Sequence, residues 1–534
     1  MERQERGCNA SGHSSAFSGP TSLAKAAWTY QYPGLPYLAD DYESPLVDAD
    51  GNVFVGEAVG TVLKLSANGA VLWRKDLGAG GLATSALDYS DAHGKLLLYI
   101  TPLVGGRMLA LDASSGAVVL NVTYGRGTTG QGDGWSVGAA AGVVVVSGLA
   151  ADAPMVRGMV STPSVFALNA STGAPVWGFS AFEGPASLSN GSYGPYNFLP
   201  IIVVDDKPRP SLLYETADGA VVKHDLWRGD VLWRLAPPLG GDNQTTTTAG
   251  CAMASEPVGR RMLVCVSNVG YSSQIMSALS LELNGVIRAI DVASGHVVWQ
   301  TYTEVRTPRH EDSPTAEAWP DWKPLRERGG AGGERREGGR EGGREGGRES
   351  PLPVRETLRR APFPHWQRAG RGLPTRGSTG AWLQPQPTDG CVAPPCAWQF
   401  FGEAAPAIAH GRVYVGLLGF STSNVMTPGH KGNMTALNAS TGAILWQTPT
   451  HENPTMGAAS CVPDTFNNAA VGADGTVYFG WWGGYVYAVD GKTGTILSSF
   501  QTQSGIQGAP AIGDGVVYFS TCEHLYAFKK DTPP

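Results

Sequence analysis

The sequence predicts an all-β protein, an eight-bladed β-propeller built from four-stranded antiparallel blades. Three observations support this fold class. A phrase exemplified by VFALNASTGAPVW, from Val165 to Trp177, returns in seven copies at intervals of tens of residues, which indicates a repeat architecture. The chain of 534 residues contains 72 Gly and 37 Pro but only 16% charged side chains, a composition typical of many short strands. The last repeat is incomplete, and a lone strand with a matching Trp lies near the N-terminus.

Each copy of the phrase reads as a β-hairpin. Apolar residues alternate before the turn, as they do in a half-buried strand. An Asn or Asp four residues before the turn glycine can accept backbone N–H bonds, and the glycine supplies the left-handed conformation that a bulged hairpin needs. The glycines in this role include Gly173, Gly295, Gly442 and Gly494.

A tryptophan follows the turn glycine by four residues in five of the copies. Each could be simply an apolar strand residue, but repetition at one offset favours a shared socket, such as the seam between neighbouring sheets. These residues are Trp73, Trp177, Trp233, Trp299 and Trp446.

A second hairpin precedes each phrase, so the repeating unit is four antiparallel strands, which is a propeller blade. Seven units are complete, and the last one stops at LYAFKK without a turn glycine or a Trp. The segment AAWTYQY offers Trp28 with no hairpin before it. We therefore expect this first strand to pair with the last blade and to close the ring, which hides both open edges.

The turn pattern A-x-D-x-x-T-G-x-x-x-W resembles the PQQ repeat of the quinoprotein alcohol dehydrogenase-like superfamily, over the chain except roughly residues 1–25 and 305–395. The resemblance implies that an enzyme of this kind would hold pyrroloquinoline quinone (PQQ) between a Trp and a disulfide of two adjacent Cys, and would bind Ca²⁺ beside a catalytic Asp. This chain has no Cys-Cys pair, so the disulfide half of the clamp is absent, and it has no C-x-x-C-H haem motif.

Four segments are predicted along the chain. Residues 1–25 read as a disordered polar tail, residues 26–304 as the closing strand and blades 1 to 5, residues 305–397 as a low-complexity and largely disordered insertion, and residues 398–530 as blades 6 to 8. In the insertion, Glu residues alternate with Arg-Gly sequences and cancel their positive charge, so the segment does not predict nucleic-acid binding. An unremoved intervening sequence in the gene is an alternative origin.

The links between second and third strands, and those between blades, emerge on one face of a propeller, and the long links of this chain fall into these two classes. We expect binding residues to lie on that loop-rich face. The residues that open each innermost strand ring the channel there, and alignment of the blades gives Glu43, Thr84, Trp135, Asn197, Cys251, Glu403, Asn467 and Gln507. This polar set suits a small-molecule or metal funnel, and equally a hydrated channel mouth.

The resemblance makes Asp133 and several residues of this ring candidates for cofactor chemistry. Asp133 would be the catalytic acid, Trp135 a stacking surface, and Glu403 and Asn467 oxygen ligands for Ca²⁺. Asn197 and Gln507 complete the candidate cofactor-binding set.

Two further clusters have open interpretations. Cys522, Glu523 and His524 could contribute to a zinc site but are more typical of an ordinary exposed turn. Trp481 and Trp482 at a hairpin tip could anchor a partner or be buried beneath neighbouring loops.

The composition leaves the compartment open. The formal charge of −7 argues against a general polyanion binder, and no apolar run is long enough to span a bilayer. The first twenty residues carry no signal-peptide core, yet glycosylation sequons occur at Asn9, Asn121, Asn169, Asn190, Asn243, Asn433 and Asn438. Either the protein is a secretory or extracellular glycoprotein or the sequons are idle. The seven Cys neither demand nor exclude disulfides, and Cys391 with Cys396 could close a small loop.

Two function classes follow from the sequence. The first is a non-catalytic PQQ-repeat propeller that binds a protein, glycan or small ligand on its loop-rich face, without a cofactor. The second is a PQQ- and Ca²⁺-dependent alcohol or polyol oxidoreductase with a diverged clamp. We favour the first because the adjacent Cys pair is missing.

Overall fold

A computed structural model describes most of the blade residues. It describes residues 14–33, 44–57, 60–78, 85–102, 106–125, 136–148, 164–179, 199–216, 219–238, 245–246, 250–253, 260–269, 284–302, 400–401, 405–419, 432–451, 468–481, 483–502, 504–506 and 508–530. The predicted insertion, residues 305–397, falls wholly outside these residues, and so does the start of the predicted tail.

The described chain consists of short β-strands grouped into eight sheets. The first half contains β1 (Trp28–Gln31), β2 (Leu46–Val47), β3 (Val53–Glu57), β4 (Thr61–Leu65), β5 (Val71–Asp76), β6 (Ala86–Ser90), β7 (Lys95–Ile100), β8 (Arg107–Asp112), β9 (Val118–Thr123), β10 (Gly138–Ala140), β11 (Val143–Gly148), β12 (Ser164–Asn169), β13 (Pro175–Phe179), β14 (Ile201–Val203), β15 (Ser211–Glu215), β16 (Val221–Asp225) and β17 (Val231–Leu235).

The second half contains β18 (Thr245–Thr246), β19 (Cys251–Met253), β20 (Met262–Val269), β21 (Asn284–Asp291), β22 (Val297–Tyr302), β23 (Phe400–Phe401), β24 (Ala407–Ala409), β25 (Arg412–Gly419), β26 (Gly432–Asn438), β27 (Ile444–Pro449), β28 (Ala470–Val471), β29 (Thr476–Trp481), β30 (Tyr485–Asp490), β31 (Ile496–Gln501), β32 (Ala511–Gly513), β33 (Val516–Ser520) and β34 (His524–Lys529).

Each sheet is one antiparallel blade; in seven of them the strands follow sequence order from the innermost outward, and in the eighth β32, β33 and β34 are followed by β1 on the outside. The predicted all-β, eight-bladed propeller of four-stranded blades is therefore confirmed. In blades 5 and 6 the innermost strand is split, because β18 and β19 both pair with β20, and β23 and β24 both pair with β25. The second strands of these two blades are eight residues long, so their ladders extend further toward the loop-rich face.

The repeat turn has the predicted construction. In blade 3 the pairing of β12 with β13 shifts register between Ala167 and Leu168. Gly173 sits in the turn at φ 69°. The Asn169 Oδ1 atom accepts the backbone N–H groups of Ser171 and Thr172, both at 2.9 Å. A short side chain thus satisfies turn donors that would otherwise lack partners.

The repeated tryptophans reach across the seams between blades. The indole N–H of each donates to a backbone carbonyl in the repeat turn of the next blade, as from Trp177 to Leu226 at 2.8 Å and from Trp299 to Ala439 at 2.7 Å. The remaining pairs are Trp28 with Ala67, Trp73 with Ala113, Trp233 with Val292 and Trp446 with Gly491. Each indole also lies against the turn glycine of that next blade. A residue larger than glycine would therefore not fit at that turn position without a shift of the indole.

Two seams have other residues in place of Trp. Between blades 2 and 3, Val122 packs on the turn that contains Gly173. Between blades 7 and 8, the backbone N–H of Leu23 donates to Ser498 Oγ at 2.8 Å, and the Leu23 side chain is fully buried in the apolar cluster of that seam.

The N-terminal segment differs from the predicted disordered tail over residues 14–25, because it packs across blades 7 and 8. The N–H of Gly515 donates to the Ser18 carbonyl at 3.1 Å, and the Tyr478 hydroxyl donates to the Pro20 carbonyl at 3.1 Å. Composition suggested a solvated tail, but these contacts are made by backbone groups that composition does not report.

The strand that follows, β1, is the outermost strand of the last blade. It pairs antiparallel with β34, with Trp28 opposite Ala527 and Gln31 opposite His524. An apolar cluster joins blade 8 to blade 1 through residues such as Tyr518 and Leu63. The other seven seams each have a comparable cluster, so apolar burial holds every pair of neighbouring blades together.

One core position carries a histidine where the other complete blades carry an aliphatic residue. His224 in β16 is fully buried. It stacks between Trp177 at 5.8 Å and Tyr214 at 5.5 Å between ring centroids. Its Nδ1 lies 3.0 Å from the Gly229 carbonyl, and its Nε2 lies 3.2 Å from the Tyr214 hydroxyl. Burial lowers the pKa of His224 to about 4.

This histidine makes the stability of the fold depend on pH. The ring is neutral in the folded state but protonates near pH 6.5 when unfolded, so stability is complete above pH 6.5 and falls as the pH drops toward 4. The loss is roughly 3 kcal/mol at the acid end. We expect His224→Leu, which restores the aliphatic residue found at Leu168 and Leu437, to remove this part of the dependence. Urea unfolding midpoints of both proteins between pH 4 and 7 test it, and equal slopes would contradict it.

Candidate ligand-binding face

The strand order places the long connections on one face. In antiparallel blades, the links between second and third strands and the links between blades share a face. The wide gaps are of these kinds, as from Gly148 to Ser164 and from Phe179 to Ile201. The links on the opposite face are short, and the repeat turns are uniform. The described strands thus agree with the predicted loop-rich face.

The residues predicted as cofactor or metal ligands lie outside the described residues, and their roles stay predictions. They are Asp133, Trp135, Asn197, Glu403, Asn467 and Gln507. Cys251 is the one member of the predicted ring that is described. It is buried and disulfide-bonded to Cys265.

Polar side chains link neighbouring innermost strands at the channel mouth. The N–H of Ala509 in blade 8 donates to Ser44 Oγ in blade 1 at 2.9 Å. The N–H of Ala405 in blade 6 donates to Asn468 Oδ1 in blade 7 at 2.6 Å. Ser44 and Asn468 each follow directly after a residue of the predicted ring. Alignment of the blades in the sequence identified the residues next to Ser44 and Asn468, but it could not predict these hydrogen bonds between blades.

An exposed histidine and a tyrosine form a stacked pair on the loop-rich face. The His451 and Tyr485 rings lie 4.5 Å apart at 12°. The buried Tyr487 hydroxyl accepts the backbone N–H of His451 and lies 2.9 Å from its Nδ1. Burial raises the pKa of Tyr487, so the hydroxyl keeps its proton. The tautomer of the His451 ring sets which of the two groups donates, and the ring itself is exposed.

Two buried carboxylates end the second strands of blades 1 and 4 on the same face. Burial raises the pKa of Glu57, against the effect of Arg74, whose guanidinium lies 2.9 Å from Glu57 Oε2. Glu215 accepts from Ser267 Oγ, and Arg288 lies 3.8 Å away. Sequence reasoning did not single out either acid, because a Glu before a turn is common on exposed hairpins.

Near the second carboxylate, Glu215, lie two sulfur atoms, those of Cys251 and Cys265. The sulfurs are joined in a disulfide, so they are not thiolate ligands and the group does not suit zinc. The disulfide also fits poorly with PQQ. It joins neighbouring strands β19 and β20 and is packed in the seam with blade 4, whereas a cofactor clamp needs a disulfide face open to the channel.

The structure describes most of the cluster around Cys522 and one of the two adjacent tryptophans, Trp481 and Trp482, for which the sequence left two interpretations open. Cys522 is disulfide-bonded, so it offers no thiolate for zinc, and both Cys522 and His524 are buried rather than in an exposed turn. Trp481 is buried in the seam between blades 6 and 7 beside Phe479, which favours the packing interpretation. Trp482 lies outside the described residues.

Within the described residues, no helix has the length and hydropathy that a bilayer crossing requires.

Comparisons with known proteins agree on the fold. The profile of the PQQ_2 family, described as outer membrane protein assembly factor BamB, matches residues 25–160 and 396–532. A sequence search of curated proteins found no match.

Solved structures give the same result. A quinohemoprotein alcohol dehydrogenase from Pseudomonas putida HK5 is 14% identical with a TM-score of 0.56, over 97% of this chain and 80% of its own. A europium-containing methanol dehydrogenase is 14% identical with a TM-score of 0.55, over 98% of this chain and 90% of its own. BamB from Moraxella catarrhalis is 12% identical with a TM-score of 0.49, over 96% of this chain and 98% of its own. The two dehydrogenase structures establish the fold and no function.

Proposed function

Since this chain belongs to the PQQ_2 family, whose description is outer membrane protein assembly factor BamB, we propose that it is a non-catalytic propeller that binds a protein partner on its loop-rich face. The family description supports a role in which the propeller contacts other polypeptides. The dehydrogenases are similar in fold only, and they support no activity for this chain.

The observation that carries the proposal is the asymmetry of the ring. Every seam is packed, and six seams have a Trp bonded to the next blade, so the scaffold is rigid. The long connections all begin and end on one face of that scaffold. Variable loops on a rigid support are a usual arrangement for recognition, whereas the opposite face repeats one short turn.

The described chemistry of this face suits a polypeptide. The His451–Tyr485 pair presents a stacked aromatic surface and an imidazole nitrogen able to form a hydrogen bond, which can meet an apolar side chain and a polar backbone group of a partner. The longer ladders of blades 5 and 6 rise on the same side as this pair. These features lie on neighbouring blades, so one partner could contact them together.

The disulfides support a location outside reducing compartments. Cys251 and Cys522 are both disulfide-bonded, and such bonds persist mainly in secreted, lumenal and periplasmic proteins. We propose that the protein works in the secretory or extracellular space.

The proposal predicts that loop-face variants lose binding. We expect Tyr485→Ala to weaken binding to an array of short random peptides by about tenfold, because it removes a stacked aromatic contact. Trp227→Ala is the matched control, since Trp227 is 46% exposed on the opposite face. Fluorescence titration with the strongest peptides gives both dissociation constants.

Three outcomes would contradict the proposal. They are an array without binders, loss of binding in Trp227→Ala alone, and dye reduction with alcohols after PQQ and Ca²⁺ are added to the purified protein. The last outcome would favour the PQQ- and Ca²⁺-dependent oxidoreductase.

A further inference from the structure

Four of the seven glycosylation sequons lie among the described residues, and their structural surroundings differ. Their asparagines are Asn121, Asn169, Asn433 and Asn438. An N-x-S/T sequence is a loose pattern, so the surroundings of each asparagine decide whether a glycan can be carried.

Two of the asparagines are part of the repeat turn. The Oδ1 atoms of Asn169 and Asn438 accept backbone N–H groups within their turns, at 2.9 to 3.1 Å. Both side chains are folded over the turn and are only half exposed. Turning either amide outward to carry a sugar would break two hydrogen bonds of the turn.

Asn433 lies in an interior strand. Its strand β26 pairs with β25 on one side and β27 on the other, and the hydroxyl-bearing residue of its sequon, Thr435, is fully buried. A glycan on Asn433 would have to leave the sheet between two neighbouring strands.

Asn121 stands apart from these three. It lies in β9, the outermost strand of blade 2, and among the described residues no strand pairs with the outer edge of β9. Asn121 and Thr123 are both exposed and, two residues apart in one strand, face the same side. The equivalent residues in other blades, such as Arg74 and Gln300, are also polar. Arg74 is exposed like Asn121, whereas Gln300 is half-buried.

We propose that Asn121 is an N-glycosylation site. The Nδ2 atom of Asn121 attacks the anomeric carbon of a lipid-diphosphate-linked oligosaccharide. A C–N bond forms, the bond from that carbon to the diphosphate oxygen breaks, the lipid diphosphate leaves, and the amide gives up one proton. The disulfides of Cys251 and Cys522 are independent support, because they indicate the same oxidising compartments in which this modification occurs.

A glycan at this position would have a physical role. It would cover the open edge of β9, where unpaired backbone groups could pair with another chain. It would project from the circumference of the ring and leave the loop-rich face accessible. Peptide binding should therefore be the same with and without the glycan.

The test is glycopeptide mapping of the full chain, directed to the secretory pathway of a eukaryotic cell by an added cleavable leader. Treatment with N-glycosidase in ¹⁸O-water converts each glycosylated Asn to labelled Asp, which mass spectrometry assigns to single residues. We expect the label at Asn121 and none at Asn433. Asn121→Gln and Thr123→Ala should each abolish it, Thr123→Ser should retain it, and Asn433→Gln should leave the mass of the attached glycan unchanged.

An unlabelled Asn121 in protein that carries its disulfides would overturn the proposal. Both cell-retained and secreted protein are mapped, so a variant that fails to leave the cell is still informative. Label at Asn433 in place of Asn121 would also overturn it.

Discussion

Replacing Gly442 with Ala should be among the most destabilising single substitutions in the ring. Gly442 has φ 71°, and an added Cβ would lie 2.5 Å from Trp299 Cε3 and 2.6 Å from Thr301 Oγ1. The left-handed conformation costs an Ala about 1 kcal/mol, and forcing the Trp299 indole out of its seam adds roughly 2–3 kcal/mol. We expect a total of about 3–4 kcal/mol, measured as a lower urea midpoint.

Gly411 is a matched control in the same blade. It has φ 70°, but an added Cβ would meet no atom within 4 Å. Gly411→Ala therefore carries the backbone cost alone, about 1 kcal/mol. Equal midpoints for the two variants would show that the seam relaxes around the methyl group and that the Trp sockets are not tight.

The second large effect is expected at Trp28, which anchors β1 to blade 1. Its indole N–H donates to the Ala67 carbonyl at 2.9 Å, and its ring covers Gly69. We expect Trp28→Ala to cost about 3 kcal/mol, because it removes both the hydrogen bond of the indole to blade 1 and its packing on Gly69. Thermal unfolding gives the loss in stability. Proteolysis should cut residues 14–31 first, since detachment of β1 exposes them.

Trp227→Ala is the control for this prediction. Trp227 is 46% exposed, and its indole N–H lies 3.3 Å from the Ala141 carbonyl. It bridges blades 3 and 4 on the surface, so its removal should cost less than about 1 kcal/mol. If the two variants lose the same stability, β1 has no special role in holding the ends of the chain together.

Most of the fold could be predicted from the sequence because the residues of the repeat act through local interactions. The turn glycine, the Asn or Asp before it and the alternating strand residues act on neighbours in the chain. Gly173 and Asn169 therefore appear in the structure in the roles that their spacing predicts. The pairing of the first strand with the last blade was expected from counting strands, since one blade lacked a strand that the N-terminus could supply, and the structure adds the register, with Trp28 opposite Ala527.

The candidate site could be predicted only at the level of its face. The channel-mouth bond between Ala509 and Ser44 joins residues at opposite ends of the chain. The His451–Tyr485 stack joins a residue that follows β27 to the first residue of β30. Neither contact has a signature in the sequence, because each joins segments whose spacing varies from blade to blade.

The sequence by itself determined the blade, the number of blades and the face that receives the long loops, because these depend on hydrophobic period, turn chemistry and chain order. Tertiary structure alone decided which carbonyl each indole meets, that residues 14–25 cover blades 7 and 8, and that Cys251 joins Cys265. Those outcomes depend on distances between blades. Such distances are set when apolar seams pack to close contact, and the spacing of residues along the chain does not specify them.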